Sequence, residues 1–138
     1  MNNTKRFGVS IDQSLLGKFD EYIKSKNYPN RSEALRDLIR KEFVEEEWLQ
    51  KNTKAAGAIT LVYNHHKRDL AEHLIEIQHD YHKTIISTQH IHLDHDICLE
   101  IIAVKGKISE IYQLELKLKS LKGIKHISLS KSTLAEEI

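Results

Sequence analysis

Residues 6–11 of the chain, RFGVSI, set Arg6, Gly8 and Ser10 against Phe7, Val9 and Ile11, the period-two alternation of a half-buried strand. Leu15, Leu16, Phe19, Tyr22 and Ile23 then recur at helical spacing behind a cap at Asp12 or Ser14, as far as the break Asn27-Tyr28-Pro29-Asn30. A second helix, capped by Asn30 or Ser32, carries Ala34, Leu35, Leu38, Ile39, Phe43 and Val44 on one side and ends in the acidic stretch EFVEEEW. Strand, helix, helix is too small a unit to bury much core, and its single strand has no partner inside it. A dimer in which strand pairs with strand solves both problems.

Beyond a polar linker at 49–56 the periodicity changes. The pattern predicts a strand over 58–63, a helix over 67–82, strands over 84–93 and 98–106, a helix over 109–122 and a strand over 125–130, with a frayed tail from Ser132. This β-α-β-β-α-β order is ferredoxin-like. The expected organisation is α+β, with a small N-terminal domain over 1–48 and a second domain over 57–132.

Charge separates the two halves. The whole chain is nearly neutral, at +1, yet residues 1–41 hold nine Lys or Arg against five acids, a local +4 suited to a polyanionic partner. No apolar run is long enough for a membrane span and the start of the chain is polar, so a cytoplasmic protein without a membrane partner is expected. A single cysteine, Cys98, excludes an intrachain disulfide and a multi-cysteine zinc finger.

The histidines lie in the second half, eight of the nine between His65 and His95. On a strand His90 and His92 point to one face, and if residues 94–97 form a hairpin turn, Cys98 approaches the same place from the next strand. Two imidazoles and a thiolate suit a late, borderline-soft ion: a planar four-coordinate set favours Ni(II) or Cu(II), a tetrahedral one Zn(II). A fourth donor can come from the helix ending Gln78-His79-Asp80-Tyr81-His82, or from another subunit. His65 and His66 could form a weaker, secondary site. No Gly-rich phosphate loop or nucleophile triad accompanies the cluster, and a four-ligand set leaves little room for catalysis, so an enzyme is not expected. A metal store would leave the basic head unexplained.

The stretches RFGVSI (6–11), SLLGKFD (14–20), NRSEALRDLIR (30–40), HKRDL (66–70), IQH (77–79), TQHIHLDHDICLE (88–100) and LKGIKH (121–126), in this order and spacing, resemble the nickel-responsive ribbon-helix-helix transcriptional regulators over nearly the whole chain. The resemblance implies a homotetramer, a dimer of dimers, whose core of ferredoxin-like, ACT-type domains binds Ni(II) in planar His₃Cys sites. It implies His90, His92 and Cys98 from one subunit and His79 from its neighbour as ligands, with Tyr63, Gln78 and Glu100 supporting them. It further implies that paired N-terminal strands read double-stranded operator DNA through Arg6, Gly8 and Ser10, although glycine has no side chain with which to read a base. Arg31, Ser32 and Arg36 would contact phosphates at the start of the second helix, and Lys67 and Arg68 would do so from a loop. Glu33 and Asp37 match positions that help bind a second cation in some members. The expected function is a nickel-dependent regulator, a repressor of nickel uptake genes; the alternative is a ribbon-helix-helix repressor whose C-terminal domain senses another metal or a small molecule.

Overall fold

The first helix begins where a side chain can stop the backbone from running on extended. Asp12, at φ −68° and ψ 152°, accepts the N–H of Leu15 on its carboxylate and opens α1, Gln13–Ser25. Asn27, in the left-handed region at φ 59°, follows the end of α1, and Asn30 then accepts the N–H of Glu33 at the start of α2, Arg31–Glu47. This computed structural model describes residues 3–138. The remaining elements are β1 (Lys54–Asn64), α3 (Arg68–Asp80), β2 (Ile85–His92), β3 (Ile97–Lys107), α4 (Ile108–Lys119) and β4 (Ile124–Lys131).

The strands form one antiparallel sheet in the order β2-β3-β1-β4. β1 and β2 are separated by β3, and β3 and β4 by β1, so α3 and α4 are crossover helices and the order is that of a ferredoxin-like fold. Ile59, Leu61, Ile102 and Val104 from the sheet pack with Leu70 and Leu74 of α3 and with Ile108, Ile111, Leu114 and Leu118 of α4. The spacing on α4 is the i, i+3, i+6, i+10 stripe of a helix laid on a sheet.

Two compact units make up the chain, Met1–Lys41 and Glu42–Ile138. The break therefore falls within α2, and not in the polar stretch expected as a linker. Trp48, expected to close the first domain, is buried in the core of the second unit, its ring 5.7 Å from that of Tyr112 and its Nε1 donating to Ser132 O at 2.8 Å. An indole contributes too much apolar surface to be left in a linker. β1 accordingly starts at Lys54, four residues ahead of the expected strand. Nor does the chain fray at Ser132: its N–H donates to Ala56 O, and the Thr133 hydroxyl donates to Glu47. Gly57 permits this closure, because a Cβ there would lie 2.7 Å from Ser130 O.

The segment expected as the first strand has no ladder. Residues 3–11 are irregular, and Phe7, Val9 and Ile11 stand 71%, 63% and 41% exposed. A strand is made by the N–H and C=O groups of a neighbour, and among its described residues the unit has no other extended segment to supply them.

Candidate metal centre

The register of β1, β3 and β2 builds the site row by row. Tyr63, Cys98 and His92 are paired across the three strands, and Leu61, Glu100 and His90 form the next row on the same face. This is the face that α3 and α4 cover, so Tyr63, Cys98 and Glu100 are buried, while His90 and His92 on the edge strand reach past the helices to the surface. Asp94 holds the intervening turn by accepting the N–H groups of Asp96 and Ile97 at 2.8 and 2.7 Å.

Three imidazoles surround the Cys98 sulfur. His90 Nε2 lies 3.0 Å from Sγ, His65 Nδ1 3.2 Å and His92 Nδ1 3.5 Å. Two of these were expected from the alternation along β2. His65, expected only in a secondary site, is brought in by the turn after β1, where its N–H donates to Asp96 O at 3.0 Å and ties the turn to the β2–β3 hairpin. Neither His65 nor His66 begins a helix, since α3 starts at Arg68. Long-range pairing of this kind leaves no periodic trace in the sequence; the only available signal was the high local density of histidine.

A hydrogen-bonded chain runs beneath the sulfur. Gln78 Nε2 donates to Glu100 Oε1 at 3.2 Å, Tyr63 OH donates to Glu100 Oε2 at 3.3 Å, and Tyr63 OH lies 3.5 Å from His90 Nδ1. Burial, then the Glu100 charge, pushes the Tyr63 phenol well above its ordinary range, so it keeps its proton and remains a donor. Burial also pushes the Cys98 thiol up, reinforced by Glu100 and Asp94. Burial, then His66 and His92, holds His65 below the ordinary histidine value and keeps it neutral with a free lone pair. Imidazoles around one sulfur are the donors a late divalent ion prefers, and the ion would supply the positive charge that drives off the thiol proton.

His79 is not part of this cluster. It is exposed on the last turn of α3, its ring 6.1 Å from that of His82. Glu33 and Asp37 are engaged within the N-terminal unit: Glu33 pairs with Arg36 at 2.8 Å, and Asp37 accepts from Tyr28 and pairs with Lys41 at 3.1 Å.

In the N-terminal unit, Lys5, Arg6, Arg36 and Arg40 line one groove of about 650 Å³, together with Ser32. Gly8 and Ser10 are exposed on the same segment as Arg6. Arg31 is turned elsewhere, its guanidinium making two bonds of 2.9 Å with the Asp20 carboxylate. In the other unit, Lys67 precedes α3 and is exposed, and Arg68 pairs with Glu72 at 3.4 Å.

Residues 56–132 match the model of the NikR C-terminal nickel-binding domain, and residues 5–46 that of the ribbon-helix-helix protein, copG family. The chain belongs to the NikR-type nickel-responsive regulators. A relative from Chlorobium phaeobacteroides is 57% identical over 96% of this chain and 98% of its own, and one from Syntrophus aciditrophicus is 55% identical over 94% of each. One from Desulfovibrio desulfuricans is 50% identical over 100% and 99%. All three carry the provisional name of nickel-responsive regulator. A solved structure of an uncharacterized Thermotoga maritima protein shares the fold, with a TM-score of 0.53 and 15% identity over 57% of this chain and 98% of that one. This NikR-type chain is thus an α+β regulator of transcription with a DNA-binding and a nickel-binding part, not an enzyme. Among the described residues no helix is long and apolar enough to cross a membrane.

Proposed function

We propose that the chain is a cytoplasmic, nickel-dependent repressor of nickel uptake genes, acting as a homotetramer, a dimer of dimers, on double-stranded operator DNA. The observation that carries the reading is the convergence of His90, His92 and the only thiol of the chain, within 3.0 and 3.5 Å of Sγ. His90, His92 and Cys98 would hold Ni(II) with the partner subunit's His79, whose exposure on α3 leaves it free to meet a second copy. Tyr63, Gln78 and Glu100 would orient the donors from behind, and loss of such support commonly costs about 10- to 100-fold in affinity.

Held between His90, His92 and Cys98 of one subunit and the partner subunit's His79, the ion would supply the positive charge that joins the two. Coupling to DNA follows if subunit contacts decide whether the terminal dimers can meet both halves of an operator. At those ends a two-stranded ribbon fits the major groove, with Arg6 and Ser10 facing the bases and Gly8 between them without a side chain. Ser32 and Arg36 support the basic groove, Lys67 and Arg68 add phosphate contacts, and Arg31 contributes after leaving Asp20. Glu33 and Asp37 are candidates for a further cation once released from Arg36 and Lys41.

His65 supports a second arrangement. At 3.2 Å from Sγ it completes a set of three imidazoles and one thiol inside a single chain, which a tetrahedral ion such as Zn(II) would also accept.

The test is Ni(II) titration of the purified protein, followed by absorption for a thiolate band and by binding to genomic promoter fragments, for wild type, Cys98→Ala, His79→Ala and His65→Ala. One equivalent per chain, loss of the band in Cys98→Ala, and fragment binding that requires nickel and His79 support the repressor. Fragment binding that ignores metal and survives Cys98→Ala sinks it in favour of a repressor with another signal. A tight site lost in His65→Ala and retained in His79→Ala selects the intrachain set.

A further inference from the structure

The last turn of α3 is anchored on one side and open on the other. Ile77 and Tyr81, one turn apart, pack against the core, whereas His79, Asp80 and His82 are exposed. A helix end leaves carbonyl groups without partners in the helix, and here they are taken up in different ways. Ile77 O accepts the N–H of Tyr81 at 3.1 Å, and Tyr81 O accepts those of Thr84 and Ile85 at 2.9 and 3.0 Å. His79 O is bonded by the N–H of His82 at 3.3 Å and, more closely, by the ring nitrogen Nδ1 of the same residue at 2.9 Å.

A carbonyl oxygen can only accept, so Nδ1 of His82 carries the proton of this bond. The His82 ring thereby stands beside that of His79, with centroids 6.1 Å apart and planes 29° from parallel. One side chain thus ties down the backbone of residue 79 and walls off part of the space open to its imidazole. Because the bond is made to the backbone, it takes neither ring nitrogen of His79. A donor ordered in advance gives up less conformational freedom when an ion binds than one on a frayed helix end.

We propose that His82 is the positioning residue of the nickel ligand that a neighbouring subunit supplies: by holding His79 O and flanking the His79 ring, it presents that imidazole in one arrangement to the His90, His92 and Cys98 of a second copy. This role rests on His79 being that ligand. The rival use of His82 is as a ligand itself through Nε2, and the two uses call for different atoms. Asparagine carries a donor nitrogen as many bonds from the backbone as Nδ1, whereas glutamine carries one as many bonds away as Nε2.

The test compares the full chain with its His82→Phe, His82→Gln, His82→Asn and His79→Ala variants. Competition against a chelator reads Ni(II) affinity, amide exchange in the nickel-free protein reads the last turn of α3, and denaturant melting followed by Trp48 fluorescence reads the fold. His82→Phe and His82→Gln should bind Ni(II) about three- to tenfold more weakly, the range of one lost hydrogen bond, and exchange the amides of Tyr81 and His82 faster, while melting as wild type does. His82→Asn should return the affinity to within about twofold of wild type, together with the slower exchange. Unchanged affinity in His82→Phe overturns the proposal, as does His82→Asn binding no better than His82→Phe, which would assign Nε2 to the ion instead. A matching loss in melting would reduce His82 to a structural residue and also overturn it. If His79→Ala binds nickel as wild type does, the inter-subunit ligand itself is refuted; a weakened His79→Ala beside an unaffected His82→Phe removes the positioning role alone.

Discussion

The C-terminal unit holds its apolar surface inside, and the N-terminal unit leaves much of its own outside. From Glu42 onward, fourteen buried side chains form one core, among them Trp48, Ile59, Leu61, Ile111 and Leu114. Of residues 3–41 only Ala34 is fully buried, while the exposed Phe7, Val9 and Ile11 line an apolar groove of about 320 Å³. The difference follows from the number of partners within reach. Each interior strand of the sheet has a neighbour on both sides and helices over one face, whereas the N-terminal unit has two helices and, among its described residues, no strand. One unit is complete as a single chain; the other has the composition of half a core.

That contrast can be broken most directly in the core of the larger unit. Ile111→Ala should destabilise the C-terminal unit by about 2–5 kcal/mol, by the same amount at every protein concentration, because the cavity lies within one chain. Phe7→Ala should instead make the melting of the N-terminal unit depend more steeply on protein concentration and weaken DNA binding. Denaturant melts at several concentrations, with Trp48 fluorescence reporting the larger unit, separate the two, and equal concentration dependence in both variants would refute the comparison.

Replacing Cys98 should weaken nickel binding by about 100-fold or more while both units stay folded, since outer partners alone are commonly worth 10- to 100-fold. Competition against a metallochromic chelator measures it. Glu100→Gln is milder: it keeps the shape but weakens what Tyr63 and Gln78 can hold, so a loss of about tenfold is expected. An unchanged affinity would show that the buried chain beneath the sulfur supports folding alone.

The smallest effect sharpens the electrostatic side. Burial, then Glu100 and Asp94, keeps the Cys98 thiol protonated near neutrality, so binding must release one proton. Apparent affinity should therefore rise about tenfold per pH unit as pH increases and level off once pH passes the raised thiol value. His65, held neutral, adds no second proton until lower pH. Titrations at three pH values test this, and a flat profile would mean that the thiol is already ionised in the free protein.

Much of this was legible in the sequence. Periodicity alone specified both helices of the head, the β-α-β-β-α-β order behind it, and a shared face for His90 and His92, because alternation and helical stripes are local properties of the chain; Cys98 joined that face only through an assumed hairpin turn. The local +4 charge of the first 41 residues, the single thiol and the density of histidine likewise needed no coordinates. Tertiary structure decided the rest. It moved Trp48 and the turns after α2 into the second unit, tied down Ser132, withheld a ladder from residues 3–11, set His65 against the sulfur and divided His66 from it to join His95 and Asp96. Each of these depends on which distant segments come to lie side by side, through strand register, indole burial or a turn held by a remote backbone oxygen. Contacts between residues some thirty to eighty positions apart have no period for a sequence to display.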